Sequence, residues 1–225
     1  QEGVRRYYSD NNPNENIFYL DGYGPTEEIL RNGNINKIFW ADVTNFMPMP
    51  KGAMWFSLTN EADALARKGL YPQLPFALKK PNIELENEYV VLHVRNIKKT
   101  PSKNAEPLII KSVVDFFKRI NKKVVLVGND RPLEGEDMPN VIDLRFSLQL
   151  SEIAWIIKGA NLFVGKDSGV AHLAGCCKVS MVCWGYKSKR WTPKVPSGQG
   201  SFLMDAESND INVLNLISNK MMVAA

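Results

Sequence analysis

Between residues 88 and 184, short valine-rich runs alternate with segments of helical periodicity, and no other feature restricts the fold as much. Glu88–Val94 (EYVVLHV) is the kind of continuous apolar run expected of a strand buried on both faces, and it ends at Arg95. Pro107 then opens a segment in which Ile109, Val113, Phe116, Phe117 and Ile120 recur at three- and four-residue spacing. That spacing predicts an amphipathic helix with proline in its first turn. Val124–Val127 is a second buried strand, closed by Gly128-Asn129-Asp130. Ser151, followed by Glu152, Ile153, Ile156 and Ile157, predicts a capped second helix. Leu162–Val164 is a third strand, Gly165–Gly169 a turn, Val170–Cys176 a helix of small residues and Val179–Trp184 a fourth strand. The order β-α-β-α-β-α-β predicts an α/β, Rossmann-like parallel sheet covered by helices, with ligands gathering at the carboxyl ends of its strands.

The front of the chain carries a weaker form of the same pattern. Ile17–Leu20 and Ile35–Trp40 read as strands flanking a short helix from Thr26 to Asn32. Pro72, Pro75 and Pro81 crowd the stretch between the halves and favour an extended linker. The expected organisation is a reduced or truncated α/β domain over 1–68, a linker over 69–87 and the Rossmann-like domain over 88–225. Lys and Arg exceed Asp and Glu by only 28 − 24 = +4, too little to argue for a nucleic-acid partner. No apolar run approaches the roughly 18 residues of a membrane span, and the polar start lacks a signal-peptide core. Cys176, Cys177 and Cys183 lie close together among apolar residues, as reduced core thiols would. A cytoplasmic protein is expected, with room for peripheral contact at an anionic membrane or glycolipid.

The most specific segment is Asp167-Ser168-Gly169-Val170-Ala171-His172, which follows a strand and enters a helix. A glycine admits close backbone approach, Ser168 offers a hydroxyl, and the helix amino terminus supplies amides and a positive dipole end suited to phosphate. Simple capping of the helix, with His172 as a core imidazole, is the alternative. Strand-end position favours the ligand reading. Arg95, Lys98, Lys99 and Lys103 follow the first strand, and guanidinium groups bind phosphate in bidentate fashion. Asn129 and Asp130 end the second strand, where they would accept hydrogen bonds from ribose or sugar hydroxyls or else form an ordinary Asx turn. The loop Gly185–Trp191 mixes lysine, arginine and aromatic residues and would suit closure over a ligand; a nucleic-acid surface is its weaker explanation. Neither a metal-ligand spacing nor a G-x-S-x-G nucleophile elbow occurs.

The stretch VVLVGND, then SLQLSEIAWIIKGANLFVGKDSGVAHLAG, then VSMVCWG resembles the carboxyl-terminal domain of the family 9 glycosyltransferases, the lipopolysaccharide heptosyltransferase family. The likeness extends more weakly back to Tyr89. It implies a GT-B fold, with two facing Rossmann-like domains, and metal-independent, inverting transfer of a sugar from a nucleoside diphosphate sugar to a glycan or lipid-linked acceptor. By this resemblance Asp167, Ser168 and Gly169 contact the donor diphosphate or sugar, and His172 supports that loop. Lys103 falls near the family's phosphate-neutralising lysine, although the Trp-Pro that follows it in the family is absent here. His93-Val94-Arg95 is similar to the His-x-Arg of GDP-fucose-dependent fucosyltransferases, which implies a diphosphate ligand in Arg95 and an alternative donor. The family's opening strand and glycine-containing loop, source of its general base, have no convincing copy. The start of the chain reads as the tail of a first helix leading into a second strand, so that the chain is cut short, the acceptor domain is reduced, or Asp21 has taken the role of base. A non-catalytic nucleotide-sugar-binding domain is the remaining alternative. No cofactor is implied beyond the donor substrate.

Overall fold

The computed structural model describes residues 17–20, 37–40, 54–74, 76–85, 88–95, 101, 104–128 and 140–223. The chain divides into two compact units, Gln1–Pro75 and Phe76–Ala225.

In the first unit β1 (Ile17–Leu20), β2 (Lys37–Trp40) and β3 (Met54–Ser57) form a parallel sheet in the order β1-β2-β3. The helix α1 (Leu58–Arg67) follows β3 directly. It ends where Gly69, at φ +75°, allows the chain to turn back. The Gly69 amide then donates to Ala66 O and the Leu70 amide to Leu65 O, both at 3.0 Å, which satisfies carbonyls that a helix end otherwise leaves open. Neither β3 nor α1 was anticipated from the sequence, and the segment Thr26–Asn32 lies outside the described residues.

The second unit holds β4 (Tyr89–His93), α2 (Pro107–Arg119), β5 (Lys123–Leu126), β6 (Val141–Asp143), α3 (Leu150–Gly159), β7 (Leu162–Lys166), α4 (Gly169–Cys176), β8 (Met181–Tyr186), β9 (Gly200–Met204) and α5 (Asp210–Val223). Its six strands are all parallel, in the order β6-β5-β4-β7-β8-β9. Because side chains alternate along a strand, each strand serves two cores. Val90, Leu92, Leu126, Val164 and Trp184 meet Ile110, Val113 and Phe117 of α2 and Val213 and Ile217 of α5 in one continuous cluster. Val91, Val125, Phe163 and Cys183 are turned to the opposite face and are fully buried, and there Tyr89 Oη donates to Ile156 O of α3 at 2.8 Å. Gly159 makes that contact possible, since a Cβ on it would stand 2.7 Å from the tyrosine oxygen. Burial pushes the Tyr89 phenol up to about 12.

Strands β4 and β5 differ from the sequence reading by one residue at each end, and other boundaries differ for reasons the pairing and capping show. The α3 helix begins at Leu150 with Gln149 as its cap, so Ser151 lies inside the first turn; Glu152 accepts the Gln149 amide at 2.9 Å and holds the cap two residues earlier. Strand β7 runs on to Lys166, because Gly165 and Lys166 pair with Cys183 and Trp184, so these two are strand residues and not a turn. Helix α4 opens at Gly169 with Ser168 as its cap, one residue before the expected Val170. Strand β8 is shifted to Met181–Tyr186, with its fit to β9 irregular between Cys183 and Tyr186. Among the described residues no helix is long and apolar enough to cross a membrane.

Candidate functional site

Strands β4 and β7 are neighbours at the centre of the sheet, and the chain leaves them in opposite directions. It passes from β4 to β5 and β6 on one side, and from β7 to β8 and β9 on the other. Connections that diverge in this way open a crevice beyond the carboxyl ends of the two strands, the usual ligand position in such sheets. His93 pairs with Gly165 in the last register position of β4 and β7. The two segments that leave this point are His93-Val94-Arg95 and Lys166-Asp167-Ser168-Gly169.

Ser168 connects them. It has extended backbone geometry, φ −163° and ψ 163°, and its Oγ accepts the Ala171 amide at 3.2 Å, a serine N-cap on α4. The same Oγ lies 3.1 Å from Nδ1 of His93. With one lone pair engaged by Ala171, the hydroxyl keeps its proton and a second lone pair, so the bond to Nδ1 forms with either tautomer of the ring. Both residues are buried, at 4% exposure for His93 and 6% for Ser168. The N-cap is therefore held on two sides, and the first amides of α4, which have no carbonyl a turn behind them, are held in a fixed direction.

Around this cap Arg95 is half-buried, and its carbonyl accepts the Ala105 amide at 2.7 Å, closing the loop that follows β4. Asp167 is half-buried and its amide donates to Trp184 O at 2.9 Å. Gly169 is exposed, and a Cβ placed on it meets no described atom within 4 Å. Neither its backbone angle nor its protein neighbours require glycine, in contrast to Gly185, whose φ is +78° and whose Cβ would stand 2.5 Å from Lys166 Cε. His172 is exposed on α4. Desolvation by the surrounding protein still holds its imidazole below the ordinary histidine range, while the Asp167 carboxylate pulls in the other direction.

A second polar group was not foreseen. Lys166 is 3% exposed, and its Nζ donates to Asn104 O at 2.8 Å and to the carboxylate of Glu106. Glu106 also accepts Trp184 Nε1 at 3.0 Å. Partial burial raises the Glu106 carboxyl, but the donors on Lys166 and Trp184 outweigh it and hold the group below the usual carboxylate range. A lysine at the end of an otherwise apolar strand was the available signal, since a lysine is almost never buried without a partner. His93, read in the sequence only as part of a motif, belongs to the constellation as well.

Of the residues singled out from the sequence, Arg95, Asp167, Ser168, Gly169 and His172 lie at the carboxyl ends of β4 and β7. Asp21, Lys98, Lys99, Lys103, Asn129 and Asp130 lie outside the described residues. The loop expected from Gly185 onward begins later, because Tyr186 is fully buried at the end of β8 and packs edge-on against Phe202. Beyond it Trp191 is 41% exposed, with the Arg190 guanidinium 5.7 Å from its ring centre. Cys176, Cys177 and Cys183 are free thiols; burial pushes Cys177 up to about 12 and Cys183 further up, which makes both poor nucleophiles. Among the described residues no cluster of three or more His, Cys, Asp or Glu could hold a metal ion.

No protein-family model and no curated protein sequence matches the chain. Solved structures do. The family 9 glycosyltransferase of Veillonella parvula superposes with a TM-score of 0.59 at 14% identity, over 97% of this chain and 86% of that one. The E. coli heptosyltransferase WaaC, in a structure with ADP, gives a TM-score of 0.57 at 12% identity over 99% of this chain and 77% of that one. UDP-GlcNAc 2-epimerase of Methanocaldococcus jannaschii gives 0.52 at 14% identity over 96% and 72%. The chain thus has the α/β, Rossmann-like fold of GT-B glycosyltransferases and is similar in fold to heptosyltransferases.

Proposed function

We propose that this protein is a glycosyltransferase that moves a sugar from a nucleoside diphosphate donor to a hydroxyl of a glycan or lipid-linked acceptor, with inversion and without a required metal. One observation carries the reading: a doubly held helix amino terminus at Ser168 and Gly169 faces the same strand ends as the half-buried Arg95. The similarity of fold to glycosyltransferases, one of them solved with ADP, supports it.

In the proposed reaction a carboxylate removes the proton from the acceptor hydroxyl as its oxygen forms a bond to the anomeric carbon. The bond from that carbon to the donor diphosphate breaks, and the electron pair leaves with the diphosphate. Arg95, Lys103 and the amides of Gly169 and Val170 stabilise the charge that develops there. Asp167 accepts hydroxyls of the sugar, His172 supports the loop, and Asn129 and Asp130 accept ribose hydroxyls. Asp21 is the proposed base. The acceptor is met in the cytoplasm or at the inner face of a membrane.

Thermal unfolding with ADP, GDP, UDP, CDP and dTDP and their sugars tests the donor site. At a hundredfold excess over Kd, binding stabilises by about 2.7 kcal/mol, a readily measured shift. One nucleotide should raise Tm, and Arg95→Ala and Gly169→Ala should abolish the rise; Gly169→Ala should do so without lowering Tm of the free protein. A panel with no response would contradict the donor site. Activity is then followed as sugar transferred to acceptor in the presence of EDTA, and Asp21→Ala should remove turnover while retaining nucleotide binding. Epimerisation of the donor sugar with no acceptor consumed would refute transfer.

A further inference from the structure

Lys166 stands one residue before the Asp167-Ser168-Gly169 turn, where a lysine suggests a phosphate ligand. Its geometry is different. The strand alternation that puts Val164 on the α2 face puts Lys166 there too, and its ammonium is buried against Asn104 O and the Glu106 carboxylate. The segment Asn104–Glu106 is the end of the loop between β4 and α2. It is held from two directions: the Ala105 amide donates to Arg95 O at 2.7 Å, and the residues on either side of Ala105 receive Lys166. Trp184 Nε1 donates to the second oxygen of Glu106 at 3.0 Å, which fixes the carboxylate plane. Gly185 lies flat against the lysine stem, since a Cβ there would stand 2.5 Å from Cε and 3.0 Å from Cγ. The lysine stem thus runs along the glycine to Glu106.

We propose that the Lys166–Glu106 pair is a strut that locks the end of the β4–α2 loop to the Asp167–Gly169 turn, so that Arg95 and the α4 amino terminus are presented to a donor diphosphate as one rigid unit. Lys166 and Glu106 are then positioning residues, and neither touches the donor. The role in donor binding rests on the proposed function; the mechanical link does not. A pair that only neutralised the buried lysine, whose side chain is 3% exposed against 42% for Glu106, would be replaceable by neutral side chains of similar size without loss elsewhere. A strut is not replaceable in that way, because its product is the relative position of two loops.

The test uses Lys166→Met, Glu106→Gln and the double variant, which leaves no uncompensated charge and keeps an acceptor for Trp184. Hydrogen exchange is measured on the amides of Asn104–Glu106 and Asp167–Ala171, together with Tm and with calorimetric Kd for the five nucleoside diphosphates. The double variant should recover much of the Tm lost in Glu106→Gln, yet exchange about tenfold faster in both segments and bind the responsive nucleotide about tenfold more weakly. Exchange at wild-type rates in either segment would overturn the strut. Faster exchange with wild-type Kd would overturn its positioning role. If the wild-type protein binds no nucleoside diphosphate, the donor reading and the positioning role fail with it, and the exchange rates still decide whether the two loops are linked.

Discussion

Ser168 combines two tasks that would ordinarily fall to separate residues. Its hydroxyl caps α4 and holds a histidine from the neighbouring strand, so Ser168→Ala removes a cap worth about 1 kcal/mol and leaves a buried imidazole nitrogen without its hydrogen-bond partner, which costs about 1–3 kcal/mol more. Chemical denaturation should show a loss of about 2–4 kcal/mol. Ser168→Thr, which keeps the hydroxyl, should lose far less. His172 provides a pH-dependent check. Its folded pKa lies below the histidine reference, so in the window beneath about pH 6.5 the unfolded chain binds the proton first, and stability falls as pH drops toward the folded value. The Asp167 carboxylate raises that value against the larger effect of desolvation. Asp167→Asn should therefore move the NMR titration midpoint of His172 still lower; an upward move would show that the carboxylate does not favour the protonated ring. Glu106 has the corresponding sign for a carboxylate: its contribution is present above the unfolded value of about 4.3 and is lost as pH falls through the depressed folded value.

Strand ends decide the site at the scale of elements, and they were the part least legible in the sequence. The apolar centres of β4, β5 and β7 and the apolar spacing of α2 and α3 announced those elements, because burial on both sheet faces leaves a short continuous apolar run. Where each strand stops depends on its neighbour. Gly165 and Lys166 read as turn residues, yet pairing with Cys183 and Trp184 keeps them in β7. The three-residue β6, the half-buried β9 and α5, whose apolar residues do not gather on one face, carried too little periodic pattern to be seen. Lys166 and Glu106, sixty residues apart in the chain, met only once the order of strands was known. Two substitutions test the packing described. Phe117→Ala in the α2 core should cost about 3–5 kcal/mol. Gly185→Ala should cost about 1–3 kcal/mol through its left-handed backbone and its contact with the Lys166 stem, and it should disturb the Lys166–Glu106 pair in the same way as Lys166→Met.

At the scale of the whole molecule, alternation of strand and helix predicted a parallel sheet but not the direction in which the chain winds. The order β6-β5-β4-β7-β8-β9 is what makes the carboxyl ends of β4 and β7, rather than any other pair, the place where connections diverge. The same order recruits residues more than seventy positions apart, His93 and Ser168, into one hydrogen bond. Fold alone serves more than one chemistry, since glycosyltransferases and an epimerase share it with this chain. The account therefore stands on where a nucleotide binds. Amide chemical-shift mapping of the labelled protein, titrated with the nucleoside diphosphate that raises Tm, addresses that claim most directly. The predicted result is a set of saturable shifts concentrated in 93–95, 104–106 and 165–172, with the largest at Gly169 and Val170. Shifts confined to the amino ends of the strands, or distant from β4 and β7, would contradict it.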